Sequence, residues 1–250
     1  MKLLLLSVEL VLICFLLYRL YRLTKHYQRV GTEGTFLQKL EVVLHETFPS
    51  LVATIVHREI SMFYFLFAKE KKPKEGTSYT YHKNVGYKGI LIALLSVVLI
   101  ESVGLFFLLH NWNPVVSYIH ILLNLYGVVY LISDYRAIVQ RPIEVTDHNL
   151  IIELGTRRQI SVPFHQIASI QDGKNWEEDK KRKDLFKSVL LEFETPQFEI
   201  AFKESIPTKN LLGKMVMMNK LYVTVDDQSQ FRRMITENMK NKKIGKSFTR

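Results

Sequence analysis

Two apolar runs carry polar side chains of the kinds that hold metals or move protons. Gly89 to Leu109 contains a single charge, Glu101, and Pro114 to Ser133 contains none. In and just beyond the second run, Ser117, His120, Asn124, Gly127 and Asp134 recur at spacings of three, four, three and seven, which sets them along one face of a helix. A carboxylate in such surroundings needs a partner or a proton. If the two runs form antiparallel helices, Glu101 and Asn124 fall at similar depth and His120 about one turn away, while Gly104 and Gly127 permit close backbone approach. Two chemistries compete for this stripe. One is a hydrogen bond between Glu101 and Asn124, joined by His120 or Ser117, that fixes helix packing. The other is a buried site for a proton or a metal, to which His57, Glu59 and His110 could contribute. A contact with a partner's transmembrane helix is a third use. No ligand spacing such as His-Glu-x-x-His is present, so packing leads, and neither metal ligands nor a cofactor is assigned.

A second cluster combines Trp176 with Lys180, Lys181, Arg182 and Lys183 inside the charged stretch Lys174 to Lys187. Cations beside an indole suit anionic headgroups, although a run of charge more commonly forms a solvated loop. Catalytic motifs are missing: the chain has no glycine-rich phosphate loop, no Gly-x-Ser-x-Gly elbow and no cysteine pair, since Cys14 is the single cysteine. No catalytic residue is assigned.

The elements that position these residues follow from hydropathy. Each run, at about 20 residues, is long enough as a helix to cross a hydrocarbon core of roughly 30 Å. The link His110-Asn111-Trp112-Asn113-Pro114 suits a tight interfacial turn, so residues 87–139 are expected to form a transmembrane hairpin. Residues 1–23, with Leu3 to Tyr18 apolar and no small-x-small cleavage site, read as an uncleaved third span.

Lys and Arg cluster after the first span (Arg19, Arg22, Lys25, Arg29), before the second (Lys69, Lys71, Lys72, Lys74, Lys83, Lys88) and after the third (Arg136, Arg141), and the hairpin link has none. Short basic segments stay cytoplasmic, which predicts a multi-pass cell-membrane protein with its N-terminus outside and its C-terminal region in the cytoplasm. The net charge of +10 fits attraction to an anionic leaflet. No nucleic-acid recognition motif accompanies it.

Residues 24–86 read as a cytoplasmic or membrane-packed connector. Phe36 to Phe48 has helical apolar spacing, and Leu51 to Ala68 is apolar but broken by His57-Arg58-Glu59, which favours a helix packed at the membrane over a fourth span. Lys69 to Gly76 reads as a solvated linker.

Beyond Arg141-Pro142 the pattern becomes short strands: Ile143 to Thr146, Leu150 to Leu154, Gln159 to Pro163 and Ile167 to Gln171. A hairpin is predicted between Ser188–Glu194 and Phe198–Lys203 across Thr195-Pro196-Gln197, then a strand over Leu221 to Val225. Asp226-Asp227 offers an N-cap for a helix with Phe231, Met234, Ile235 and Asn238 at helical spacing. Residues 240–250 read as a basic disordered tail.

The string Ile143-Glu-Val-Thr-Asp-His-Asn-Leu-Ile-Ile-Glu-Leu-Gly155, with Arg158-Gln-Ile-Ser-Val-Pro163 and Ile167-Ala-Ser-Ile170, resembles the opening of bacterial pleckstrin-homology-like domains on small membrane proteins. The arrangement as a whole, with Glu101, Asp134-Tyr135-Arg136-Ala137 and Arg141-Pro142, is similar to bacterial integral membrane proteins of no assigned activity. The resemblance implies an α+β membrane protein in which three transmembrane helices carry a cytoplasmic antiparallel β-barrel, residues 140–239, closed by a C-terminal helix. The expected function is a membrane-anchored binding or scaffold protein. Its expected partners are the bilayer, anionic lipids and a membrane or cytoplasmic protein. The alternative is a membrane-embedded enzyme or transport-associated subunit using Glu101 and His120.

Overall fold

The computed structural model describes residues 18, 21–29, 35–68, 78–191 and 193–245. The expected N-terminal anchor falls almost entirely outside these residues, as do Lys69 to Gly76 and the last five residues. The fold is mixed α+β, with three long apolar helices and two four-stranded sheets, and it divides into two compact units.

The first unit is Met1–Ser61 with Leu211–Lys214. Its α1 (Phe36–Thr47) begins at a capping box, in which the Gln38 amide donates to Thr35 Oγ1 and the Thr35 amide to Gln38 Oε1. Leu37, Leu40, Val43 and Leu44 form its buried face. Pro49 follows the helix end, and α2 (Ser50–Phe67) starts at once. His57 Nε2 lies 3.2 Å from Leu37 O, tying the two helices. The Ser50 hydroxyl donates to Gly213 O at 3.0 Å. Gly213 has φ +75°, and a Cβ there would stand 2.1 Å from Thr54 Oγ1, so glycine is required twice over.

The second unit is Met62–Asn210 with Met215–Arg250. It contains a helical hairpin, α3 (Tyr87–Trp112) and α4 (Pro114–Gln140). The expected five-residue link shrinks to Asn113 alone, whose side-chain oxygen accepts from the Val115 amide at 2.9 Å, with Pro114 at the first helical position. Both helices are long and apolar enough to cross a membrane, and α2 is the third such helix among the described residues.

The sheets follow. The strands are β1 (Ser78–Tyr79), β2 (Ile143–Val145), β3 (Asn149–Leu154), β4 (Arg158–Pro163), β5 (Ile167–Asp172), β6 (Leu185–Ser188), β7 (Phe198–Lys209) and β8 (Met215–Val223). The short helix α5 (Trp176–Asp179) precedes β6, and α6 (Gln228–Gly245) ends the fold. One sheet is antiparallel in the order β1-β2-β3-β4, and the other has the order β5-β7-β8-β6.

Neither sheet closes into a barrel, which corrects the expected barrel, and β6 runs parallel to β8 where antiparallel pairing was expected. The predicted hairpin across 195–197 is also corrected. The strand on that side is Leu185–Ser188, and β7 pairs instead with β5 and β8. β1 was missed because it lies in the connector. Only the alternation Ser78-Tyr79-Thr80-Tyr81 marks it, with both tyrosines buried.

One core joins the two sheets, from Ile143, Leu150, Ile152 and Val162 to Phe198, Ile200, Leu221 and Val223. α6 contributes Phe231 and Ile235 to it. Asp227 caps α6 by accepting from the Gln230 amide at 3.0 Å, as expected from the sequence. The helix continues to Gly245, into the stretch expected to be a disordered tail.

Candidate functional site

A buried polar site in the second unit lies where α4 meets the β3–β4 turn. Asp134, one turn before the buried Ile138 on α4, is only 2 % exposed. Its Oδ2 accepts from Arg157 Nη2 at 2.5 Å and from the Tyr87 hydroxyl at 3.0 Å, and Arg157 Nε reaches Oδ1 at 3.3 Å. Arg157 Nη2 also lies 3.3 Å from the Tyr87 oxygen, so carboxylate, guanidinium and phenol form a closed triangle. The turn that presents Arg157 needs Gly155, with φ +53°. A Cβ there would press on Asp134 Oδ1 and Ile138 Cγ1, each at 3.2 Å.

Further cations fasten the same end of the hairpin. Arg141 pairs with Glu153 at 3.1 Å, donates to Gly155 O at 2.9 Å and lies 4.8 Å over the Phe65 ring. Arg136 donates to Phe65 O and Ala68 O, which satisfies carbonyls at the C-terminus of α2, and the Ser133 hydroxyl donates to Met62 O one turn earlier. Burial works against the Arg157 charge, and the facing Asp134 carboxylate outweighs it, holding the guanidinium above its ordinary range. A carboxylate paired in this way with a guanidinium and a phenol fastens the hairpin to the turn.

Along the hairpin the polar stripe divides. Asn124 Nδ2 donates to Ser102 Oγ at 2.7 Å and to His120 Nε2 at 3.1 Å, while the Ser102 proton goes back to Val98 O. His110 Nδ1 lies 3.3 Å from Ser117 Oγ, and its ring stacks on Phe106. The expected bond between Glu101 and Asn124 is corrected. Successive helical residues turn by about 100°, so once Ser102 faces Asn124, Glu101 points outward and is exposed. Gly104 and Gly127 have no neighbour within 4 Å of an added Cβ, so they do not serve close approach within this hairpin. Asp134 belongs to the triangle at the far end of the stripe, about 15 Å along the helix from Asn124.

The cluster at Trp176 is also rearranged. Trp176 is 4 % exposed and packs its ring 5.2 Å from that of Tyr222, instead of standing at a surface among headgroups. Asp179 accepts from Lys220 at 2.7 Å and from the Tyr222 hydroxyl at 2.8 Å, and Lys220 reaches Glu199 at 2.9 Å. The Lys220 hydrogen bond, opposed by burial, holds the Asp179 carboxyl below its ordinary range. Burial pushes the Tyr222 phenol up. Lys180 pairs with Glu177, and Arg182 with Asp179 and Asp184. Lys181 and Lys183 stay exposed. The stretch expected to be one long loop therefore contains a short helix, a turn over 180–184 and the start of β6, fastened to the sheet.

Arg157, Tyr87 and Glu153 were missed as site residues. Asp134 signalled a need for a cation, but nothing in sequence separates Arg157 from its neighbour Arg158 as the one supplied. Among the described residues, no group of three His, Cys, Asp or Glu side chains is placed to hold a metal ion.

Fold and site together define a mixed α+β chain whose apolar helical hairpin is bolted through buried charge to a two-sheet domain. No protein-family profile matches this chain, and no curated protein or solved structure matches it.

Proposed function

We propose that this chain is a membrane-anchored scaffold whose hairpin crosses the bilayer and holds a pleckstrin-homology-like domain against the cytoplasmic face of the cell membrane. The observation that carries the reading is the triangle of Asp134, Arg157 and Tyr87. It sits at the base of the hairpin, where a domain standing on two spans must be held in a fixed pose.

Three further features support it. The side chains of α3 and α4 are apolar and largely exposed, including Leu99, Ile100, Val103, Leu122 and Leu123, and such a surface is rare on a protein surrounded by water. Trp112, also exposed, sits at the turn where an interface would lie. The pleckstrin-homology-like reading draws on two sheets sharing a core with one C-terminal helix, and on the strand motifs of 143–170. In this reading the end of α2 from Met62 onward is held at the base of the hairpin, because its Met62 and Phe65 carbonyls accept from Ser133 and Arg136 of α4. The exposed Lys181 and Lys183 are the remaining candidates for anionic-lipid contact.

The test is cross-linking in cells followed by mild-detergent purification of the full chain and of a version lacking residues 143–239. Partners recovered only with the domain present support the scaffold. Identical recovery from both versions argues against it.

A further inference from the structure

The α3 surface divides cleanly. Leu91, Leu95, Val98, Ser102, Leu105, Phe106 and Leu109 are buried or half-buried at helical spacing and form the face toward α4. Val97, Ile100, Glu101, Gly104 and Leu108 are exposed on the other side. Glu101 is thus a carboxylate on the outer surface of the hairpin, and among the described residues it has no hydrogen-bond or ion-pair partner. It lies about 16 Å along the helix axis from Trp112 and about 21 Å from Tyr87, too far for its short side chain to reach water at either end of a span. Three residues on, Gly104 leaves open space beside it, with nothing within 4 Å of an added Cβ. In hydrocarbon a bare mid-span carboxylate costs about 3 kcal/mol.

We infer that Glu101 and Gly104 form the docking point for a transmembrane helix of another protein, one that carries a Lys or Arg side chain at mid-depth. Charge complementarity decides the occupant. Between Lys88 and Arg136 this chain has no Lys or Arg, so the hairpin of a second copy would set carboxylate against carboxylate with no cation at that depth. His120, the nearest imidazole in sequence on the facing helix, already binds Asn124. A partner's ammonium or guanidinium group supplies what Glu101 lacks, and the Gly104 gap admits the partner backbone. This inference rests on the hairpin crossing the bilayer, and it gives the scaffold's partner a chemical description.

The experiment uses the full chain in phosphatidylcholine–phosphatidylglycerol vesicles, with fluorescence energy transfer to a synthetic Leu/Ala transmembrane peptide bearing one central Lys. A peptide with Leu in its place is the control. Flotation and resistance to alkaline extraction first establish insertion. A chain that does not insert overturns both this inference and the membrane reading. Given insertion, the Lys peptide is expected to associate about ten-fold or more tightly than the control, and Glu101→Leu is expected to abolish that preference, with Glu101→Gln reducing it. Because Glu101 is exposed and unpaired among the described residues, both variants are expected to fold, and unchanged Trp176 fluorescence in a Trp112→Phe background verifies this. Equal binding of the two peptides overturns the docking point and leaves the spanning hairpin intact, as does a preference that survives Glu101→Leu. Energy transfer between copies of the chain that depends on Glu101 overturns the foreign partner in favour of a second copy.

Discussion

Asp134 and Glu101 are carboxylates joined by the same helical hairpin, and their surroundings are opposite. Asp134 is buried and accepts hydrogen bonds from Arg157 and Tyr87. Glu101 is exposed among aliphatic side chains and has no partner among the described residues. A buried charge persists only where its desolvation is offset by good geometry, so Asp134 identifies a joint that the fold itself completes. An exposed charge on an apolar surface identifies a contact that the fold leaves incomplete. One end of the hairpin is finished internally, and the docking point proposed for Glu101 would finish its middle from outside.

The sharpest way to break this contrast is Asp134→Ala. Removing one partner of a buried pair strands the other, and since Arg157 retains some contact with water the expected loss is about 3 kcal/mol, at the lower end for such pairs. Thermal unfolding of the detergent-solubilised chain measures it. Arg157→Ala should cost a similar amount, and the double variant clearly less than the sum of the two. Additive losses would mean the triangle is not a coupled unit. Gly155→Val comes next, at about 1–3 kcal/mol, because it adds strain at positive φ to a press on Asp134. The same unfolding assay reads it, and a neutral result would show that the β3–β4 turn does not hold the joint.

Asn124→Leu tests the hydrogen bond inside the hairpin, where about 0.6 kcal/mol and no more than about 1.7 is expected. A loss as large as that of Asp134→Ala would move the centre of the fold to mid-hairpin. The acid response concerns the fastened stretch around Asp179. Its folded pKa is depressed, so the stabilisation it gives is present above the ordinary value of 3.8 and lost as pH falls through the lower folded value. Trp176 fluorescence in a Trp112→Phe background should stay constant down to about pH 4 and change only below it. A transition near neutrality would point to another group. The smallest effect is expected from Glu101→Leu, which should leave the unfolding midpoint of the isolated chain unchanged or slightly raised. A marked loss would restore Glu101 to a packing role.

Reading the chain in order recovers the strands at 143–171, the Asp227 cap and the core positions Phe231 and Ile235, because alternation and capping are local signals. The hairpin is equally legible, since a long apolar run depends on composition alone. Pairing is less so. The spacing of Ser117, His120, Asn124 and Asp134 puts them on one stripe but does not say which face of α3 meets that stripe, and a one-residue difference decides between Ser102 and Glu101. Loop chemistry misleads in a similar way. Charges at Lys180 to Lys183 suggest a free surface, yet Glu177, Asp179 and Asp184 lie within a few residues and neutralise part of it locally. The partnership of Asp134 with Arg157 joins residues 23 apart across a helix end and two strands, and no local pattern encodes it.

The proposed scaffold requires a hairpin that crosses the bilayer with the two-sheet domain on the opposite side from its turn. Single-cysteine labelling in a Cys14→Ser background tests it, using Trp112→Cys at the turn and Phe193→Cys on the domain, where the native side chain is 79 % exposed. With a membrane-impermeant thiol reagent, the account predicts that position 112 is labelled in intact cells and position 193 only after permeabilisation. Labelling of both positions from the same side would contradict it.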